Sequence, residues 1–379
     1  MKILFLTTVL PSGRYGGGEI WSQNVVEALR AAGATVTVVG YDRRGVGASE
    51  GEVAAANRTV ETARNPIAAL QWGFAALLRS EPYTVQKWTG AQYRMTIRQI
   101  LAEQNPNLAI IDHAGMAWAL SELSCLPFVH LSHQAESNLY AMHATSNFRN
   151  RVIYRREERL LRQTEARLAR NATEIWTISN DDADYFRELR GATVRALPVA
   201  GRSDWEVASK RRENPDVALL GSWTWKSNRE GLVWFLESVV PLLPSEWQIE
   251  VAGKYVAKNL PCHGNVRFLG VVPDAFAFLR SAKRIAVPSF SSVGVPIKLL
   301  DAIAAGPPVV TTSAAVARIG TDLPNVVAAD AAQSFARALI HAQGAETEGK
   351  LWTRKRQKEF RDTVAEALTL LQGKRSAGR

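Results

Sequence analysis

Along this chain, short runs of apolar, often β-branched residues alternate with longer stretches whose apolar positions recur every three or four residues. That alternation predicts strands joined by helical crossovers around a parallel sheet. Ile3–Thr8 reads as a strand, Glu19–Ala32 as a helix that Gly33 ends, and Thr35–Gly40 as a second strand. Leu108–Asp112, Phe128–Leu131 and Ile175–Ile178 supply further buried strands, with helices expected at Asn65–Leu78, Tyr93–Glu103 and Phe148–Leu168. The periodicity breaks at Leu197–Pro215, where Pro198, Gly201 and a polar run mark a linker. A second series follows, with strands at Val217–Leu220, Ile249–Ala252, Val266–Leu269, Arg284–Val287 and Pro308–Thr312. Helices fit between them at Asn228–Leu242, Asp274–Arg280 and Ile297–Ala305. Two such α/β halves imply two doubly wound, Rossmann-like domains facing across a cleft, with ligands at the carboxyl ends of the strands. The expected divisions are residues 1–200, 201–350 and a C-terminal segment 351–379. The last holds the helix Leu351–Gln372 and a polar tail, expected to pack back on the first domain.

Composition narrows the class. The 379 residues are 46% hydrophobic and 22% charged, a globular balance, and no apolar run is long enough to span a membrane. The opening apolar run is too short for a signal peptide, and two distant cysteines, Cys125 and Cys262, fit neither a metal spacing nor a disulfide framework. A reducing, cytoplasmic setting is expected. A net charge of +10 admits nucleic acid, an anionic membrane face or a phosphorylated substrate. The arginines from Arg149 to Arg170 are interleaved with Glu157, Glu158 and Glu165, which favours a solvated, ion-paired helix over a binding surface. No nucleic-acid recognition module accompanies the charge.

Two stretches carry candidate chemistry. Gly16-Gly17-Gly18-Glu19 lies between the first strand and a helix starting near Ile20, so open backbone precedes a helix N-terminus, suited to an anion or a closely approaching sugar. It is not the Gly-x-Gly-x-x-Gly of a nicotinamide enzyme, and a bare turn is the competing reading. The second stretch runs from Pro288 to Val310: a strand ends, small residues follow, and a helix begins with Pro296 in its first turn. Amides near Gly294, Val295 and Ile297 then meet a diphosphate, Lys298 neutralises phosphate, and Asp301 on the same helical face accepts hydrogen bonds from ribose hydroxyls. Taken alone, Lys298 and Asp301 at i, i+3 read better as an ordinary surface ion pair.

At these residues the chain resembles the retaining family 4 glycosyltransferases of the two-domain GT-B fold, in a polysaccharide-associated branch. Leu220 to Trp223 with Asn228 to Phe235 is similar to the first strand and helix of that family's donor domain; Ile249 to Lys254 and Val266 to Asp274 are similar to the next two strands. His133-Gln134-Ala135-Glu136 is similar to a His-Asn-x-Glu segment, and Trp176 to Asp182 to a late step of the acceptor domain. The resemblance covers most of the chain in order. It implies transfer of a sugar, with retention and without a bound metal, from a UDP- or GDP-linked donor to a glycan or lipid-linked glycan in bacterial polysaccharide assembly. Lys226, Gly294, Val295 and Lys298 are then the diphosphate ligands, Asp301 the ribose ligand, and Gly16 to Glu19 a donor or acceptor loop. The chain departs from the family at Val293, where a Glu is usual, and at Pro296, where one branch carries Arg. A natural-product transferase and a non-catalytic nucleotide-sugar-binding member are the alternatives.

In the first domain His133 and Glu136 follow a buried strand and are the expected catalytic pair, His133 as proton acceptor or donor-binding group. Asp112 and His113 come second. Asp182-Ala183-Asp184 imitates a metal-binding Asp-x-Asp, but Ser179 followed by acidic residues is better explained as a helix cap. Trp72, Phe74, Leu77, Leu78, Tyr83 and Trp88 beside Arg79 and Lys87 read as core packing first, and as attachment to an anionic membrane second.

Overall fold

The first strand, β1 (Lys2–Val9), sits inside the N-terminal sheet with Ile3, Leu4, Phe5 and Leu6 fully buried. It is joined by β2 (Thr35–Asp42), β3 (Glu52–Asn57), β4 (Leu108–Asp112), β5 (Phe128–Ser132), β6 (Glu174–Thr177) and β7 (Thr193–Ala196). The order is β3-β2-β1-β4-β5-β6-β7 and every pairing is parallel, Phe5 standing between Val38 and Ile110. A second all-parallel sheet contains β8 (Val217–Leu220), β9 (Ile249–Ala252), β10 (Val266–Gly270), β11 (Ile285–Val287), β12 (Val309–Thr311) and β13 (Val326–Ala328), ordered β10-β9-β8-β11-β12-β13. Each sheet reverses its winding next to its first strand, between β1 and β4 and between β8 and β11. Crevices for ligands form at such points. The fold is the expected pair of Rossmann-like domains.

This computed structural model describes residues 1–13, 16–43, 45, 47–59, 65–124, 126–146, 148–189, 191–199, 201, 214–254, 260–261, 263–290, 294–320, 323–343 and 346–377. Cys125, Cys262, Val293 and most of the expected linker lie outside them. The chain divides into one compact unit of Met1–Leu197 with Arg361–Arg379 and another of Pro198–Phe360. The last helix, Glu346–Ala377, therefore begins five residues before the expected start and contributes to both units. In the first unit it buries Val364, Ala367, Leu368 and Leu371, and Glu366 lies 3.8 Å from Arg195 of β7.

Three strands escaped the sequence pattern, and all three are sheet edges. β3, β7 and β13 have alternating or largely exposed side chains rather than an apolar run, because an edge strand is half solvated. The helices Tyr83–Trp88, Glu136–Ser146 and Ala332–His341 were also not anticipated. The helix expected at Asn228–Leu242 is α-helical over Lys226–Trp234, then widens to a π turn at Phe235–Val239 and tightens to a 3-10 turn at Val240–Leu242. Pro241, which cannot donate to the helical ladder, falls in that last turn. The arginine-rich helix starts at Arg151, after a separate turn at Phe148–Asn150. Its glutamates do not form a solvated ladder: Glu157 and Glu165 are buried. Glu157 accepts from the Tyr83 amide (2.7 Å) and pairs with Arg156, and Glu165 accepts from the Ser137 and Tyr185 hydroxyls (both 2.6 Å).

Candidate active site

In the N-terminal unit the polar groups collect at the winding reversal. Asp112 ends β4 fully buried, and a buried carboxylate persists only if it is paired and hydrogen-bonded. Thr7 from β1 donates to Oδ2 at 2.7 Å, and Ser22, one turn into the helix Gly17–Ala31, reaches the same oxygen at 2.7 Å. His133, just past β5, places Nε2 2.6 Å from Oδ1. Burial alone would raise the Asp112 carboxyl, but the His133 and His113 imidazoles, with hydrogen bonds from His133 and Ser22, hold it well below the usual carboxylate range. An ionised Asp112 accepts from Nε2–H and orients the ring, so in its neutral form His133 carries its lone pair on Nδ1. That atom faces Gly18, where an added Cβ would sit 3.4 Å away.

His113 stacks on His133, ring centroids 3.8 Å apart at 29°. Its backbone has φ 73° and ψ 146°, a conformation natural to glycine and strained for any residue with a Cβ. Burial, reinforced by the nearby His133, pushes His113 down to about 3, so it is neutral at physiological pH. Glu136 explains how the strained turn is held. Its carboxylate accepts the Ala114 amide at 3.1 Å, at the start of the 3-10 turn Ala114–Ala119. Burial and the charge of Glu165 push Glu136 up to about 7 against these amide bonds. Asp182 accepts the Ala135 amide (2.9 Å) while the Ser179 hydroxyl accepts its own amide (3.2 Å). It is a cap that also ties down the His133 loop, and Asp184 pairs with Arg187 on the surface.

Of the glycine loop, Gly16 is the N-cap and Gly17 the first residue of its helix, which therefore starts three residues before Ile20. Gly18 contacts His133, whereas Glu19 is engaged by Arg43 at 3.0 Å. Ser22 and Thr7 were missed as site residues. The available signal was Ser22 on the otherwise apolar, buried face of its helix.

A second candidate cluster, in the other unit, is built the same way at the β8/β11 reversal. Gly253 follows β9 with φ 118°, and an added Cβ there would sit 1.8 Å from the Gly221 carbonyl oxygen, so the chain ends of β8 and β9 touch as only glycine permits. Gly231 similarly lets the helix Lys226–Trp234 lie against the Pro288 carbonyl, 2.2 Å from where a Cβ would stand. That approach brings Asn228 to Lys298, whose ammonium donates to Asn228 Oδ1 at 2.9 Å, while the Asn228 amide donates to the Ser222 carbonyl at 3.1 Å. Lys298 thus bonds a neutral amide, and burial lowers it to about 8. It lies in the first turn of the helix Ile297–Ala305, whose N-cap, Pro296, offers no side-chain cap. Gly294 adopts φ 74°, and Val295 leads into the same turn. Asp301 is buried one turn further on. Lys226 heads the Asn228 helix but is exposed and lies 3.8 Å from Glu230.

Chemically, the N-terminal cluster offers a carboxylate-oriented imidazole, able to accept a proton or bind a hydroxyl. The second offers a cation and uncapped amides, suited to a diphosphate. The donor atoms of Asp112, His113 and His133 lie within 4.8 Å of one another, near enough to ligate one transition-metal cation. A cation there would compete with the proton for the atoms that now form the Asp112–His133 bond. Among the described residues no helix is long and apolar enough to cross a membrane.

A family model described as "Glycosyl transferase 4-like domain" matches residues 16–200, and one described as "Glycosyl transferases group 1" matches residues 214–343. No curated protein matches the sequence. Among solved structures, the chain is similar to sucrose-phosphate synthase from Thermosynechococcus elongatus (16% identity, 100% of both chains covered, TM-score 0.69). It is also similar to Anabaena HepE in complex with UDP and glucose (14% identity, 97% of this chain and 99% of that one, TM-score 0.66). WaaG, a glycosyltransferase involved in lipopolysaccharide biosynthesis, is similar as well (16% identity, 97% and 99% covered, TM-score 0.59). With both domains present and in this order, the chain is a glycosyltransferase of the GT-B type.

Proposed function

We propose that this chain transfers a hexosyl or related sugar, without a bound metal, from a UDP- or GDP-linked donor to a hydroxyl of a glycan or lipid-linked glycan in bacterial polysaccharide assembly. The observation that carries this reading is Lys298. A buried ammonium held by a neutral amide, in the first turn of an uncapped helix, is a cation that no anion among the described residues is seen to neutralise. A diphosphate supplies that anion and leaves with the electron pair of the broken C1–O bond. Asp301 takes the ribose hydroxyls, Gly294 and Val295 line the diphosphate turn, and Lys226 reaches it only by leaving Glu230. UDP and UDP-glucose in the HepE structures support a nucleotide-sugar donor.

Retention follows from the family resemblance. In that course the acceptor proton passes to the leaving diphosphate, and His133 binds a donor hydroxyl through Nδ1. A second reading, inversion, is favoured by the Asp112–His133 bond of 2.6 Å. There Nδ1 takes the acceptor proton as the acceptor oxygen attacks C1 from the face opposite the diphosphate. In both, Glu136 is a positioning residue that holds the His113 turn.

Calorimetric titration without metal against UDP, GDP, ADP and NAD tests the donor site. One nucleoside diphosphate should bind, with affinity lost in Lys298→Ala. Equal affinity in the variant removes the site assignment, and binding of NAD alone removes the transferase reading. Binding without turnover identifies a non-catalytic member, and the anomeric configuration of the product by NMR separates retention from inversion.

A further inference from the structure

The helix Pro66–Leu78 is packed inside out. Its sequence contains no charged residue, yet the side chains turned to the protein are small: Ala76 is its one buried residue. Trp72 joins it on the inner side, edge-on to Tyr83 at 6.3 Å and beneath the Arg58 guanidinium. Ile67, Leu70, Phe74, Leu77 and Leu78 point the other way. They follow i, i+3, i+7, i+10 and i+11 spacing, so they form one stripe, and each is between 63% and 76% exposed. A soluble helix buries such a stripe, and a contiguous exposed one marks a contact surface.

What covers it is indicated by the neighbouring helix Arg151–Asn171. Arg156 donates to the Ala76 carbonyl at 2.8 Å, which sets the first turns of this helix beside the end of the apolar one. Those turns expose two more large aliphatics, Val152 at 83% and Ile153 at 60%. Val152, Arg155, Arg159 and Arg162 repeat the i, i+3, i+7, i+10 spacing, and all four are exposed. Because Glu157 and Glu165 are turned into the core, the exposed Arg155, Arg159 and Arg162 have only the half-buried Glu158 of the three glutamates near them, and this face is more basic than its sequence suggests.

We infer that the stripe of Pro66–Leu78 and the adjoining basic face of Arg151–Asn171 dock the N-terminal unit on an anionic lipid bilayer. The apolar helix lies in the interfacial plane, and the arginines meet lipid headgroup phosphates. A second copy of the chain is the less fitting occupant, since self-pairing of the two faces would set arginine against arginine. An anionic bilayer satisfies both at once: acyl chains accept the Leu and Phe side chains while negative surface potential attracts the guanidinium groups. This goes beyond the proposed transfer reaction and does not depend on it.

The test is sedimentation of the full chain with phosphatidylcholine vesicles, with and without about one-quarter phosphatidylglycerol, at low and raised salt. Wild type should pellet with the anionic vesicles. The double variant Leu70→Glu with Phe74→Glu should lose at least about tenfold in partitioning at either salt, since it removes apolar insertion and adds like charge. Arg155→Glu with Arg159→Glu should bind several-fold more weakly and show a flatter salt dependence. These side chains are exposed, and melting by circular dichroism checks that the variants fold. A polarity-sensitive fluorophore on Leu70→Cys should shift to the blue on anionic vesicles, whereas one on Gln99→Cys, on a different helix, should not. Wild type remaining in the supernatant, or the Leu70 and Phe74 variant pelleting as well as wild type, overturns the inference. So does a dimer in sedimentation velocity that this variant dissolves without any vesicle binding.

Discussion

The candidate clusters of the two units have the same topology and opposite electrostatics. At β1/β4 a fully buried anion, Asp112, is overdetermined by Thr7, Ser22 and His133, three partners from three elements. At β8/β11 a single cation, Lys298, has a neutral amide as its partner. The first is a finished network whose charge is consumed in orienting an imidazole. The second has no counter-anion among the described residues, which is what makes it a candidate for binding one. A pre-oriented proton acceptor and an anion receptor are different requirements, and the same strand-to-helix geometry meets both by changing which groups are left unsatisfied.

That contrast can be broken at either end. The largest effect is expected for Asp112→Asn, which leaves the fold of the loop but loses the charge that fixes the His133 tautomer. Turnover should fall by about 10²–10⁴ with nucleoside diphosphate affinity unchanged, read as kcat against nucleotide Kd. Lys298→Ala should do the reverse, weakening nucleoside diphosphate binding by about 2–3 kcal/mol in calorimetry. In the wild type that affinity should decline as pH rises through about 8, where the ammonium becomes neutral, and Lys298→Arg should remove the decline.

Smaller effects refine the N-terminal cluster. Glu136 is raised to about 7 from an ordinary 4.5, so on going from acid to neutral pH the unfolded chain ionises it before the folded one does. Its contribution to stability is complete below the unfolded value and fades as pH rises to about 7. Glu136→Gln should therefore gain about 1–2 kcal/mol on the wild type between pH 5 and 7.5, measured by denaturant unfolding across that range. His113→Gly and His113→Ala both lose the ring contact with His133, but only glycine relieves the positive-φ backbone, so the glycine variant should be more stable than the alanine variant by about 1 kcal/mol in denaturant unfolding.

Legibility followed sequence distance. The C-terminal cluster could be proposed from sequence because Pro288 to Asp301 packs strand end, turn glycine, helix start, lysine and aspartate into one short run, where local rules apply. Even there Asn228, distant along the chain, had no assigned role until Gly231 brought its helix against Pro288. In the N-terminal cluster Asp112 and His133 were each visible as polar residues after buried strands, but their bond joins residues on neighbouring strands. Glu136 was read as chemistry and is committed to the amide of the His113 turn.

What the sequence by itself determined is the α/β class, the two winding series, and the candidate groups at the carboxyl ends of the strands. Hydrophobic periodicity and strand-end polarity are properties of short windows. Only the tertiary structure decided the pairing of Asp112 with His133 and the inward turn of Glu157 and Glu165. It also decided the outward turn of the Pro66–Leu78 stripe. Each depends on which distant element arrives to solvate a charge or cover an apolar face, and a one-dimensional pattern does not encode which neighbour that is.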